Sequence, residues 1–223
     1  MRRILSILFL LSFVNYIIAQ NKSVNKTYKV NAHKFHIFTK SLDDNYILLK
    51  CTYNSKSILS DTVDGGGLFS IKLPDFDTDG YPDIMLTYLG NNDTYYLYLF
   101  DKANKRFKKV LNFENYPHAT QLKTNRKYYY SYHRAGCADL DWMSDLFEIV
   151  DFKAIRIGHI YGLGCDFDVK NNPQVIKIYR VTDSNITEEH LIATLSYQKF
   201  IPNFGDKWGF IKKYWNKNYK GFR

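Results

Sequence analysis

Glutamate is almost missing from this chain of 223 residues: Glu114, Glu148, Glu188 and Glu189 stand alone against eighteen Asp. Glu builds helices, whereas Asp favours turns, caps and hard-cation sites, so the imbalance speaks against a helical bundle. Cysteine is sparse as well, with three residues and neither a Cys-x-x-Cys pair nor His at zinc spacing. None of the six His falls in a His-Glu-x-x-His frame, and no Ser sits in a Gly-x-Ser-x-Gly elbow. Asp64 with Gly65, Gly66 and Gly67 lacks the Lys-Ser/Thr of a phosphate loop and reads as a turn. With 12 Gly and 5 Pro the chain is no collagen-like polymer, and 45% hydrophobic residues exclude disorder. Past residue 20 no apolar run approaches the roughly 20 residues of a membrane-spanning helix.

What is abundant is aromatic: 19 Tyr and 16 Phe, spread through short alternating runs between Asn, Asp and Gly clusters. The pattern predicts an all-β fold with strands near 36–40, 46–53, 56–62, 68–73, 84–89, 94–100, 107–113, 127–133, 145–150, 154–159, 174–181 and 191–197. Within 94–100, Tyr96, Tyr98 and Phe100 share one face while Tyr95, Leu97 and Leu99 share the other. A strand apolar on both faces is expected to be covered on both sides. Strand, polar turn and strand recur around 94–110, 146–159 and 175–193, and 68–113 reads as one complete four-stranded unit. These hairpin repeats predict an antiparallel β-propeller-like arrangement, with a β-sandwich as the alternative.

Residues 1–19 read as a secretory signal, with Arg2 and Arg3 ahead of an apolar core from Ile4 to Val14 and a cleavage point after Ala19. Export takes the formal charge from +9 to +7, because the leader holds two arginines and no acid. The remainder, 20–223, is expected to form a single β domain in the periplasm or outside the cell, with no transmembrane segment after cleavage. Disulfides persist there. Cys137 and Cys165 lie in similar glycine-preceded turns on either side of a hairpin, and are expected to pair and leave Cys51 over.

The sharpest chemical signal is Pro-Asp-Phe-Asp-Thr-Asp-Gly-Tyr-Pro-Asp at 74–83, which sets Asp75, Asp77, Asp79 and Asp83 in a D-x-D-x-D-G-x-x-D pattern. Calcium takes 6 to 8 hard oxygens, and alternate carboxylates on a curled loop converge on one ion. Gly80 permits the reversal, and the carbonyl of Tyr81 is expected to face inward. An EF-hand would carry Glu at the twelfth position, where this chain has Leu86 within a strand-like run. The loop is therefore calcium-type without being an EF-hand, and the ion is expected to staple 68–73 onto 84–89.

Asp75 to Asp83, followed by Ile-Met-Leu-Thr-Tyr, resembles the calcium loop and next strand of FG-GAP and VCBS repeats in integrin-type β-propellers. A longer stretch, from Phe69 to about Asp151, is similar to a family of small exported bacterial VCBS-like proteins. Some members of that family are calcium-binding propellers resembling periplasmic lysozyme inhibitors, and act as immunity proteins against peptidoglycan hydrolases. The resemblance implies calcium at Asp75, Asp77, Asp79 and Asp83 and a protein partner, a cell-wall hydrolase that the chain inhibits. The Cys137 and Cys165 turns and the C-terminal tail depart from the family pattern.

A second acidic group, Asp139, Asp141 and Asp145, lacks a curling glycine and reads as a solvated turn. The tail at 199–223 holds seven basic residues, one acid and eight aromatic rings, with Trp208, Ile211 and Trp215 at helical spacing. Its leading interpretation is a segment that closes the β domain while its lysines stay solvated. An alternative is an envelope or matrix adhesin in which the tail contacts an anionic surface or glycan. A hydrolase built from spatially assembled Asp residues is the third, and the one with least support. For an exported chain without a recognition motif, no nucleic-acid partner is expected.

Overall fold

The computed structural model describes residues 24–30, 33–167, 173–182 and 189–223, so the leader at 1–19 lies outside the described residues. Among the described residues the fold is all-β and antiparallel, in three sheets with short helices at the C-terminal end. The first sheet is a meander of β1 (Asn25–Val30), β2 (His33–Ser41), β3 (Tyr46–Tyr53) and β4 (Lys56–Asp64). The second repeats that plan with β5 (Leu68–Lys72), β6 (Ile84–Tyr88), β7 (Thr94–Asp101) and β8 (Arg106–Lys109). The third contains β9 (Thr120–Gln121), β10 (Tyr128–Tyr130), β11 (His133–Gly136), β12 (Asp141–Val150), β13 (Lys153–Gly162), β14 (Val175–Val181) and β15 (Glu189–Ser196). Helices α1 (Tyr197–Phe200) and α2 (Asp206–Asn218) follow.

Local chemistry explains the tight hairpins. Asn54 and Ser55 adopt φ of 47° and 65° between β3 and β4, and Asp151 and Phe152 adopt 49° and 61° between β12 and β13. Two consecutive left-handed residues make the two-residue turn whose twist matches the flanking strands.

The sheets stack through three apolar layers. Phe35, Ile37, Leu49 and Val63 of the first sheet meet Ile84, Leu86, Tyr98 and Phe100 of the second. The opposite face of β7, with Leu97 and Leu99, packs with Phe113, Tyr129, Phe147 and Ala154. Strand 94–100 is thus buried on both faces, as its double apolar pattern predicts. On its outer side the third sheet offers Trp142, Leu146, Ile160 and Ile178 to Ile211, Trp215 and Phe222. Gly158 and Gly162 make room there: a Cβ on Gly162 would lie 2.2 Å from Trp142, and one on Gly158 would lie 2.6 Å from Phe222.

This arrangement fits the alternative, a β-sandwich, better than the expected propeller-like repeat of hairpins. The first two sheets are four-stranded units, but the third has seven strands, and the face that would receive a following blade is already covered by α2. Face-to-face packing of a β-sandwich kind describes the sheets better. The strand predicted at 107–113 ends at Lys109, after which Phe113–Asn115 forms a 3-10 turn that inserts Phe113 into the second layer. The disulfide Cys137–Cys165 forms, and Cys51 is free and buried in the first layer. No helix among the described residues is long and apolar enough to cross a membrane.

Candidate metal centre

The loop at 74–83 joins β5 to β6 and closes through Asp83 N–H, which donates to the Pro74 carbonyl at 2.7 Å. Inside it the carboxylates accept backbone donors in succession. Asp75 receives Asp79 N–H at 2.9 Å and Gly80 N–H at 3.1 Å, Asp77 shares Asp79 N–H at 3.1 Å, and Asp79 receives Tyr81 N–H at 2.8 Å. Such bonds wind the chain into a tight coil, with Thr78 and Gly80 at positive φ. Asp83 is fully buried at the base, where its two oxygens accept Phe76 N–H at 2.8 Å and Phe100 N–H at 3.0 Å.

Oxygens of Asp75, Asp77 and Asp83 come within 4.8 Å of one another. Asp79 stands outside this trio and turns to Lys102, whose ammonium lies 3.1 Å from its carboxylate and 3.0 Å from its carbonyl. Tyr81 stacks its ring on Phe100 with centroids 5.1 Å apart. The ring also lines a cleft of about 190 Å³ with Phe35, Tyr53, Lys102 and Lys105.

Burial and crowding of like charge show in the titration of Asp83 and Asp77. Burial pushes Asp83 up to about 7, and neighbouring Asp77 adds to the rise while the two backbone bonds oppose it. Asp77 is raised as well, by burial first and then by Asp79. Carboxylates raised in this way favour a proton or a cation, and the all-oxygen donor set suits a hard divalent ion such as Ca2+ over zinc or copper.

The loop also reaches the third sheet, which the sequence did not disclose. Gln121 on β9 donates to the Asp77 carbonyl at 3.2 Å and takes a bond from Thr78 Oγ1 at 3.2 Å. Phe76 stacks on Tyr129 with centroids 5.0 Å apart and interplanar angle 10°. Lys102, Gln121 and Tyr129 are thus part of the site's surroundings, and each lies at least nineteen residues beyond Asp83, outside any local pattern.

Asp139, Asp141 and Asp145 do not converge. Asp139 pairs with Lys207 at 2.8 Å and accepts the Tyr132 hydroxyl, while Asp141 receives Gly164 and Cys165 N–H. Asp145 is buried in the third sheet beside His159 at 2.8 Å, Arg156 at 3.4 Å and His133 at 3.8 Å. Arg156 continues to Glu189 at 2.9 Å. Strand pairing assembles this network from β11, β12, β13 and β15, so no spacing in the sequence announces it.

No family model matches the chain. No curated protein matches it either. Among solved structures, the chain is similar to a Xanthomonas type IV secretion system related protein at 18% identity and TM-score 0.49, over 77% of this chain and 98% of that one. It is similar also to an acylaminoacyl peptidase of Pyrococcus horikoshii at 11% identity and TM-score 0.31, over 77% of this chain and 32% of that one.

Proposed function

We propose that the chain is an exported, calcium-stapled β protein that docks a protein partner and blocks a peptidoglycan hydrolase. The convergence of Asp75, Asp77 and Asp83 in a loop bonded to two sheets carries the reading, because one ion there would stiffen the contact between them. Inhibition is steric: loops held in one shape occlude the partner's cleft, and a net positive surface speeds encounter with an acidic target. The loop at 136–139 suits that role, since Cys137–Cys165 and the Asp139–Lys207 pair hold it from both sides. The leader at 1–19 and the disulfide support an oxidising, extracytoplasmic location.

The adhesin alternative has less to work with. Ile211, Trp215 and Phe222 are spent on the core, which leaves Lys212, Lys213 and Lys217 facing solvent. The deciding experiment measures turnover of purified peptidoglycan by muramidases and amidases, including any encoded beside this gene, with and without the chain, in calcium and in chelator. Inhibition that weakens in chelator supports the proposal, and undiminished turnover by every hydrolase sinks it.

A further inference from the structure

Between the inner faces of the first and second sheets, away from the acidic loop, lies a cleft of about 270 Å³ lined by Val24, Lys26, Thr39, Ile47, Leu68 and Ile71, among others. β1 pairs Lys26 with Ile37 and Tyr28 with Phe35, so Lys26 lies on the sheet face that buries Ile37 and Phe35, in a row that is otherwise apolar. On this edge strand its side chain stays exposed at the rim of the cleft. Among the described residues no acid pairs with it, and no acid lines the cleft. Thr39 Oγ1 accepts Val24 N–H at 2.8 Å and keeps its own proton to donate. Ser70 adds a second hydroxyl to the wall, its oxygen buried and without a hydrogen-bond partner among the described residues, whereas the Ser41 hydroxyl is already donated to the Asp43 carbonyl at 2.9 Å.

We propose that this cleft binds a small amphipathic carboxylate. Val24, Ile47, Leu68 and Ile71 would receive the apolar body, while Lys26 and the Thr39 hydroxyl meet the carboxylate at the rim. Size sets the class: an apolar cavity of about 150 Å³ suffices for benzene, so this cleft takes a six-carbon chain or a phenyl ring with a short acid arm, and not a drug-sized molecule. Charge sets the sign, because a lone cation among hydroxyls and aliphatic groups offers donors and no competing anion.

The test titrates the full exported chain with hexanoate, 3-phenylpropionate and 1-hexanol while following the backbone amide resonances of Val24, Ile47 and Ile71. Both carboxylates are expected to shift these resonances saturably and more tightly than hexanol. Lys26→Gln, an exposed change that leaves the fold intact, is expected to weaken the carboxylates about two- to fivefold, the range of a solvent-exposed charge contact, without touching hexanol. Thr39→Val gives an independent loss for the carboxylates alone. A peptide end is told from a free acid by acetyl-Ala-Leu, which binds in place of hexanoate if the cleft reads a C-terminus. Absence of saturable shifts with all of the carboxylates overturns the proposal. So does equal binding of hexanol with no response to Lys26→Gln, which would make Lys26 a guard of the sheet edge.

Discussion

Asp77→Ala isolates the ion from the fold. The Asp77 carboxylate accepts a single backbone bond, from Asp79 N–H at 3.1 Å, and that donor also serves Asp75 at 2.9 Å. Losing a shared bond costs at most about 1 kcal/mol, and removing a carboxylate whose ionisation is opposed by burial and by Asp79 offsets part of it. In chelator the variant should therefore melt within a few degrees of the parent. Calcium at a hundred times its dissociation constant stabilises the parent by about 2.7 kcal/mol, or about 5 to 11 °C for a domain of this size. The variant should show little of that shift, and magnesium should give less than calcium to the parent.

Acidity provides a second arm of the same experiment. Asp83 rises from 3.8 to about 7 in the folded chain, so between those values the native state holds a proton that the unfolded state has released. Without calcium, the Asp83 contribution to stability should climb as pH falls from 7 towards 4, by up to about 4 kcal/mol at about 1.4 kcal/mol per pH unit. Bound calcium keeps the carboxylate ionised and should remove that gain. Thermal melts followed by circular dichroism in calcium and in chelator read both arms. Equal melting in the two buffers, or a full calcium shift in Asp77→Ala, would refute the assignment.

Three further outcomes follow from the packing. Gly162→Ala drives a methyl into Trp142 and should destabilise by about 1 to 3 kcal/mol in denaturant titration, while an exposed change such as Lys213→Ala stays near neutral. Replacing Cys137 and Cys165 with Ser opens a loop of 28 residues and should lower stability by about 3.5 kcal/mol in the chain-entropy picture, with no effect of a thiol reductant on the variant's melt. Burial holds His133 below the ordinary 6.5, against the pull of Asp145, so the unfolded chain takes up this proton first. Stability should fall as pH drops below 6.5 on that account, and His133→Gln should flatten the fall.

The strands were legible because alternation, aromatic content and turn residues all act locally. The double apolar face of 94–100 even announced burial between two sheets, and the glycine-preceded turns announced the Cys137–Cys165 bridge. Sequence chemistry also determined the acidic loop, since alternate Asp residues bonding successive backbone N–H groups coil the chain whatever surrounds it. Only the tertiary structure decided which oxygens meet: Asp83 reaches Asp75 and Asp77, while Lys102, brought over on the β7–β8 turn, draws Asp79 aside.

The same holds for the third sheet. Its seven strands and the α2 cap depend on pairings between residues far apart, such as Ile178 with Ala193, and on Trp215 docking over Ser144 at 2.8 Å. Periodicity within a segment carries no record of such neighbours. The sequence by itself therefore determined the strands, the hairpins and the carboxylate-rich coil, all set by contacts a few residues apart. Stacking order, the loop's tie to Gln121 and Tyr129, and the cleft rimmed by Lys26 were decided by packing between sheets, where the partner of each side chain is chosen by the fold as a whole.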